Sequence, residues 1–382
     1  GTGGLTRVTD KRKVRRDLAD LFCATEEGVK GKRAKAWRLV DEVVPNSKFD
    51  EAVASRAVEF AKSSPKDNVA QGISLGPIDR TVSEGAVTYA FVEVELDRVG
   101  RRATITLKGP DGPAPADMEA FQAQGDQAYL LRLCRELEDA ILHLRLNEME
   151  LGLWVFRSQG DPELVAAHEA LLASNTDHWL ANEVRHYWKR VLKRIDVTSR
   201  SLAAFIEHGS CFAGVLAEIL FAVDRTYMME DEFEGDNRPI ATVTLTEANF
   251  GPYPMGNDLT RLETRFLSEA DHVATLKDVI GEGIEAEQAD ELGLVTMILD
   301  DIDWDDEVRI FMEERASFSP DAMTGMESNL RFAGPETMET KIFGRLTAWQ
   351  NWIFNRPNAV GESGALQRYG TGMRGDYSME RV

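Results

Sequence analysis

The chain has 382 residues, of which 43% are hydrophobic and 29% are charged. This composition is typical of globular proteins and excludes a disordered or fibrous chain, and the length predicts two or three compact units at about 100–200 residues each. Because 65 Asp and Glu residues outnumber 44 Lys and Arg residues, the net charge is −21. We therefore expect no nucleic-acid partner, since such a charge repels a phosphate backbone.

The longest apolar run, residues 211–223, is too short to cross a bilayer and contains Glu218. We therefore expect no membrane insertion. The three cysteines are far apart and form no C-x-x-C pair, which favours a reduced, cytoplasmic protein without a zinc site. Residue 1 is Gly1 and opens a glycine-rich loop with no helix or strand before it, so we expect that the N-terminus is truncated.

An internal repeat relates the beginning of the chain to its last third. Residues 34–44 align with residues 289–299 at an offset of 255, and the same register continues from residues 49–65 into residues 304–320. Each copy predicts a short helix, a Leu-Val strand and an amphipathic helix that ends before a proline. The repeat therefore predicts the end of one module and the whole of a second.

The repeat sets the domain boundaries that we expect. Residues 1–65 are predicted to be the C-terminal remainder of the first module, residues 66–83 a linker, and residues 84–320 a second, divergent module. Residues 321–382 are predicted to be helical. An apolar stripe in that region, formed by Trp349 and residues 352–354, predicts an oligomer contact and favours a homodimer.

The second module alternates predicted strands with predicted helices. Residues 88–96 and 103–107 form a predicted hairpin, with Tyr89, Phe91, Glu93 and Glu95 on one face of its first strand. Further along the chain the apolar spacing predicts helices and strands in turn. These are a helix at 130–146, a strand at 151–156, a helix at 182–195, and strands at 201–206 and 241–245. This alternation predicts a largely parallel α/β arrangement.

Several of these segments resemble the crotonase superfamily of enoyl-CoA hydratases and isomerases. The hairpin reads Phe-Val-Glu-Val-Glu-Leu at 91–96 and Arg-Arg-Ala-Thr-Ile-Thr-Leu at 101–107, and residues 286–295 are similar to the family's trailing helix and strand. The resemblance implies an α/β fold of the crotonase-like (ClpP/crotonase) ββα-superhelix type, in tandem modules with the first one truncated.

Two such modules in tandem, followed by residues 354–370, resemble ring-opening lyases of this superfamily. The resemblance implies opening of 2,3-epoxybenzoyl-CoA, or of the dihydrodiol of benzoyl-CoA, in aerobic benzoate degradation. The implied products are formate and an open-chain dehydroadipyl-CoA semialdehyde. The partner is then a CoA-thioester substrate, and no cofactor is expected because CoA is part of that substrate.

Crotonase chemistry needs backbone N–H donors for the thioester oxyanion and one or two carboxylates that move protons. The resemblance places the catalytic glutamate pair upstream of Gly1, so we expect the isolated chain to be inactive. In the present chain, Gly3 and Gly4 resemble the glycine-rich loop that follows the second acid position. They either line the acyl-CoA cleft or merely turn the chain.

In the second module, the resemblance places Glu218 and Glu247 at the two acid positions and the Ser158 N–H near the oxyanion donors. Only Gly214 stands where the family has two or three glycines, which argues that the pair is a remnant. Two alternatives stay open. One is an ordinary enoyl-CoA hydratase or isomerase that uses Glu218 and Glu247, and the other is a non-catalytic scaffold or dimerisation module.

Overall fold

A computed structural model describes residues 3–64, 72–230 and 237–381. These residues form two compact units, Gly1–Gly72 and Ile73–Val382. Most of the first half of the predicted linker, residues 66–71, lies outside the described residues. Its last residues join the second unit, since Thr81–Val82 is a strand of that unit's sheet.

The first unit is helical throughout its described residues. Its helices are α1 (Gly4–Thr6), a π-helical segment (Arg7–Lys11), α2 (Arg16–Cys23), α3 (Gly31–Ala36), a 3₁₀ turn (Asn46–Lys48) and α4 (Phe49–Lys62). The Leu-Val strand predicted at residues 39–44 is wrong, because no strand is formed in this part of the described chain. A strand needs a neighbour to satisfy its backbone groups, and the described part of this unit offers none.

The second unit is built around a mixed sheet of eight strands in the order β1-β2-β3-β4-β5-β6-β8-β10. A separate two-stranded ladder joins β7 and β9. The strands are β1 (Thr81–Val82), β2 (Ala86–Thr88), β3 (Val92–Asp97), β4 (Arg102–Lys108), β5 (Leu153–Gln159), β6 (Ser201–Ile206), β7 (Phe212–Ala213), β8 (Arg225–Met229), β9 (Val243–Thr244) and β10 (Met297–Leu299). The strands β1 to β4 pair antiparallel, and β4 to β10 pair parallel.

Helices connect the parallel strands and cover the sheet. The first of them are α5 (Met118–Ala123), α6 (Tyr129–Asn147), α7 (Pro162–Ala173), α8 (Trp179–Asp196) and α9 (Ala217–Ala222). The later ones are α10 (Arg261–Arg265), α11 (Ala270–Thr275), α12 (Ala286–Glu291), α13 (Trp304–Ser317), α14 (Pro320–Leu330), α15 (Met338–Ile353), α16 (Pro357–Val360) and α17 (Ala365–Arg368). Short 3₁₀ turns stand at Gly125–Gln127, Glu247–Phe250 and Leu276–Val279. None of the helices in the described ranges combines the length and the apolar character needed to cross a membrane.

The predicted hairpin is present, but its first strand is shorter than expected. The strands β3 and β4 pair with Val92 opposite Leu107, and Val92, Val94 and Leu96 are buried. Residues 88–91 do not continue β3, because the chain reverses there: the Tyr89 N–H donates to the Val92 carbonyl, and β2 pairs antiparallel with β3. Tyr89 is therefore buried, although the alternation placed it with the polar face.

The parallel half of the sheet holds the core, and here the predicted elements are confirmed. The strand β6 has the bounds that were predicted and is buried at every position. The helices α6 and α8 pack on each other, and the Trp188 indole N–H donates to the Leu130 carbonyl at 2.9 Å. A fully buried strand in the middle of a parallel sheet explains why its sequence is continuously apolar.

The secondary structure follows the internal repeat in both units. The helix α12 begins and ends 255 residues after α3, and α13 begins and ends 255 residues after α4. In the second unit β10 follows α12 and pairs with β8, so here the Leu-Val strand has the neighbour that it needs. The assignment of both segments to tandem modules stays a prediction.

The C-terminal residues return to the N-terminal ends of the parallel strands. There Glu327 of α14 is buried and accepts hydrogen bonds from the Ser201 hydroxyl, from Arg315 at 3.0 Å and from Arg381 at 3.0 Å. The Arg381 N–H also donates to the Met149 carbonyl just before β5. One buried carboxylate therefore holds α13, α14, β6 and the end of the chain together.

We predict that Glu327→Gln strongly destabilises the chain, because it leaves two buried guanidinium groups without their counter-charge. The expected loss in the free energy of unfolding is about 3–5 kcal/mol, measured by urea titration. The matched control is Glu313→Gln, which breaks an exposed ion pair with Arg309 and should cost less than about 1 kcal/mol. Equal losses for the two variants would contradict a structural role for Glu327.

Candidate functional site

A buried ionic cluster lies where the sequence placed the first acid. The guanidinium of Arg261, at the start of α10, is fully buried and stands between two carboxylates. Its Nη2 lies 2.7 Å from Asp196 Oδ2 at the end of α8, and its Nη1 lies 2.8 Å from Glu218 Oε2 in α9. The Nη1 group also donates to the Tyr253 carbonyl at 2.9 Å, so this arginine joins three separate segments.

Both oxygens of Glu218 are occupied. While Oε2 faces Arg261, Oε1 accepts from Asn249 Nδ2 at 2.8 Å, and the same amide group donates to the Gly214 carbonyl. Asn249 is itself fixed, because its side chain closes a capping box with Thr246 at the turn Glu247–Phe250. Burial raises the pKa of Glu218, and Arg261 acts against that rise. Glu218 is therefore positioned as a structural partner of Arg261.

The structure does not bring Glu247 into this cluster. Glu247 is the first residue of its 3₁₀ turn and is exposed, whereas the next two residues, Ala248 and Asn249, are buried. The turn therefore directs the amide of Asn249, and not the neighbouring carboxylate, toward Glu218.

A second buried acid, Glu169 of α7, stands beside the same loop and was not found from the sequence. It is 4% exposed, and its Oε2 accepts from the Thr246 hydroxyl at 2.7 Å. Burial raises the pKa of Glu169 to about 7. A carboxyl group with such a pKa can exchange a proton near neutral pH. The available signal was a lone acid between buried positions of a largely apolar helix.

Gly214 is required because Glu169 fills the space beside it. Its φ is +51°, which favours glycine, and a Cβ added there would lie 2.5 Å from Glu169 Oε2. The surviving glycine thus makes room for an internal carboxylate. The Gly214 N–H is also used, since it donates to the Thr244 carbonyl at 3.1 Å.

The other expected oxyanion donors lie at the end of β5. Ser158 is within that strand, and its hydroxyl accepts from the Cys211 N–H at 2.9 Å. Just beyond it, the Gly160 N–H donates to the Gly209 carbonyl at 3.0 Å. A Cβ on Gly160 would lie 2.9 Å from the Gly109 Cα, so these two glycines are packed together. Both glycine N–H groups near the expected thioester position are therefore bonded within the protein.

Gly3 and Gly4 lie in the first unit, at the start of α1. Gly3 has a φ of +74°, and Gly4 has no neighbouring atom within 4 Å of the position that a Cβ would take. Both residues are exposed, so backbone approach to a ligand is sterically open. Their placement in an acyl-CoA cleft stays a prediction.

The described residues contain no group of three or more His, Cys, Asp and Glu side chains arranged to hold a metal ion. The carboxylates of the buried cluster have Arg261, Asn249 and Thr246 as their partners.

Comparison with known proteins places this arrangement among its relatives. No protein-family model matches the chain. The chain is 50% identical over all 382 residues to benzoyl-CoA-dihydrodiol lyase from Aromatoleum evansii, and it covers 68% of that protein.

Solved enoyl-CoA hydratases share the fold. The structure from Geobacillus kaustophilus HTA426 matches 77% of this chain and 98% of its own chain, with a TM-score of 0.54 and 15% identity. The structure from Bacillus anthracis matches 76% and 100%, with a TM-score of 0.53 and 15% identity. The predicted crotonase-like α/β fold is therefore confirmed.

We predict that Glu169 makes stability fall with rising pH. The folded chain holds the Glu169 proton up to a pKa of about 7, while the unfolded chain releases it near 4.5. The stabilising contribution is complete below about pH 4.5 and is lost as the pH rises to 7, by about 3 kcal/mol. Glu169→Gln should remove this dependence and be the more stable form at pH 8.

The measurement is urea unfolding at a series of pH values between 4.5 and 8. The matched control is Glu314→Gln, which removes an exposed carboxylate from α13 and should follow the unsubstituted chain. If Glu169→Gln kept the same pH dependence as the unsubstituted chain, the buried proton would not reside on Glu169.

Proposed function

Because this chain belongs to the benzoyl-CoA-dihydrodiol lyase family, we propose that it acts in opening the ring of a benzoate-derived CoA thioester. The observation that carries the proposal is the sequence identity with the Aromatoleum evansii lyase, which extends over every residue of this chain. The name of that relative gives the substrate class, a dihydrodiol of benzoyl-CoA.

The proposed reaction uses water and proton transfer. The dihydrodiol and one water molecule give formate and an open-chain dehydroadipyl-CoA semialdehyde, and the epoxide needs one water molecule more. A carbon–carbon bond of the ring breaks while the thioester carbonyl takes up electron density, and no external oxidant or reductant enters. Such a reaction needs N–H donors at the thioester oxygen and a carboxylate that moves protons.

We propose that the second unit supplies scaffold and not the catalytic acids. The first support is Glu218, whose two oxygens are held by Arg261 and Asn249. The second is that the N–H groups of Gly160 and Gly214 already have internal acceptors. In this proposal the acids lie outside the buried cluster, and Gly3 and Gly4 line the acyl-CoA cleft. The open backbone at those two glycines supports that role.

We also propose a cytoplasmic homodimer. The described cysteines are all unpaired, which fits a reducing compartment. In the region predicted to make the oligomer contact, α15 exposes large apolar side chains to solvent. They include Met338, Ile342 and Phe343.

The test exchanges this chain into the relative. We predict that the Aromatoleum evansii lyase, with its matching region replaced by these 382 residues, releases formate from benzoyl-CoA dihydrodiol, whereas the 382 residues alone do not. The expected reason is that the fold and scaffold are equivalent while the acids lie elsewhere. Formate is measured with a coupled formate dehydrogenase assay, and the intact relative is the positive control.

The same preparations are assayed for hydration of crotonyl-CoA, because the fold is shared with enoyl-CoA hydratases. A folded chimera that releases no formate would contradict the lyase function. If the 382 residues alone hydrated crotonyl-CoA and either Glu218→Gln or Glu247→Gln abolished the reaction, the hydratase alternative would be correct and the second unit would hold a working site.

A further inference from the structure

A second feature of the second unit, independent of the proposed function, is an arginine-rich pocket of about 410 Å³. This volume lies within the range of small-molecule sites. Five guanidinium groups line the pocket, together with two carboxylates and an apolar wall. The arginines are Arg225, Arg261, Arg265, Arg315 and Arg331, the acids are Asp224 and Glu327, and the apolar wall includes Phe221, Val223, Met255, Met326 and Leu330.

Three of the arginines are already neutralised by carboxylates. Arg261 is held by Asp196 and Glu218, as described above. Arg331 makes two hydrogen bonds to Asp224, at 2.8 and 2.6 Å, and Arg315 lies 3.0 Å from Glu327. These groups form the rigid floor of the pocket.

The other two arginines have no carboxylate partner among the residues that the structure describes. Arg265 donates to the backbone carbonyls of Gly293 and Val295, which carry no net charge. Arg225 is exposed at the start of β8, and its guanidinium lies 5.3 Å from the centre of the Phe311 ring. Two positive charges therefore remain uncompensated in a chain whose net charge is −21.

An unsatisfied hydroxyl lines the same pocket. The Thr264 Oγ1 atom is buried and has no hydrogen-bond partner in the described structure. A buried hydroxyl without a partner is unfavourable, and a ligand oxygen would satisfy it. Guanidinium groups and a hydroxyl beside an apolar wall are complementary to an anionic head group on an apolar body.

We propose that this pocket binds a small organic anion, with its carboxylate or phosphate group at Arg225, Arg265 and Thr264 and its apolar body against Met255 and Leu330. The two head groups share the chemistry that the pocket recognises, since both accept two parallel hydrogen bonds from one guanidinium. The local positive charge concentrates such ligands despite the negative charge of the whole chain.

The test is calorimetric titration of the full chain with benzoate and with phenyl phosphate. Benzamide, the neutral analogue of benzoate, tests the need for charge, and inorganic phosphate tests the need for the apolar body. We expect at least one of the two aromatic anions to bind, and to bind roughly tenfold more tightly than benzamide and inorganic phosphate. The aromatic anion that binds more tightly identifies the head group.

Two variants locate the binding. Arg225→Gln should weaken binding of that anion roughly tenfold. Thr264→Val should also weaken it while the melting temperature is maintained or raised, because the hydroxyl has no partner in the folded chain. The control Arg309→Gln removes an exposed arginine that does not line the pocket and should bind as the unsubstituted chain does.

The proposal is overturned if neither aromatic anion binds at millimolar concentration. It is also overturned if benzamide binds as tightly as benzoate and inorganic phosphate as tightly as phenyl phosphate, or if folded Arg225→Gln and Thr264→Val chains retain full affinity. A folded Thr264→Val chain keeps the test decisive even if Arg225→Gln impairs folding.

Discussion

The arrangement of the second unit depends on one buried guanidinium. Arg261 makes its hydrogen bonds to Asp196, Glu218 and the Tyr253 carbonyl, and each of these belongs to a different segment. A buried charge is tolerated only when it is paired and hydrogen-bonded, so these partners cannot be exchanged independently. The cost of leaving Arg261 unpaired is the physical reason why Glu218 stays in place as a structural residue. The same side chain also forms part of the floor of the arginine-rich pocket.

Much of the fold was predictable because its elements have strong local signals. The buried strand β6 and the helices α6 and α8 follow the period of their apolar residues, and the repeat register carried the bounds of α12 and α13. The predictions failed where a long-range contact decides the outcome. Residues 39–44 form no strand because a strand needs a neighbour, and the shape of the chain around Tyr89 depends on the pairing of β2 with β3.

The candidate site was less predictable than the fold. The sequence identified Glu218 as an acid of interest, but spacing along the chain does not reveal that Arg261 lies opposite it, 43 residues away. Glu169 was missed for the same reason, since α7 meets Thr246 only in the folded chain. The loss of glycines around Gly214 did carry information. It indicated that a ligand is no longer accommodated there, and the structure shows that the space beside this glycine is taken by the Glu169 carboxylate.

The most direct test of this account is a double-mutant cycle between Glu218 and Arg261, measured as free energies of unfolding for Glu218→Gln, Arg261→Met and the double variant. A structural ion pair predicts losses of about 3–5 kcal/mol for each single variant. The double variant should then lose at least about 2 kcal/mol less than the sum of the two. Losses that add to within about 0.5 kcal/mol would contradict the pairing and would leave the Glu218 carboxylate available for chemistry.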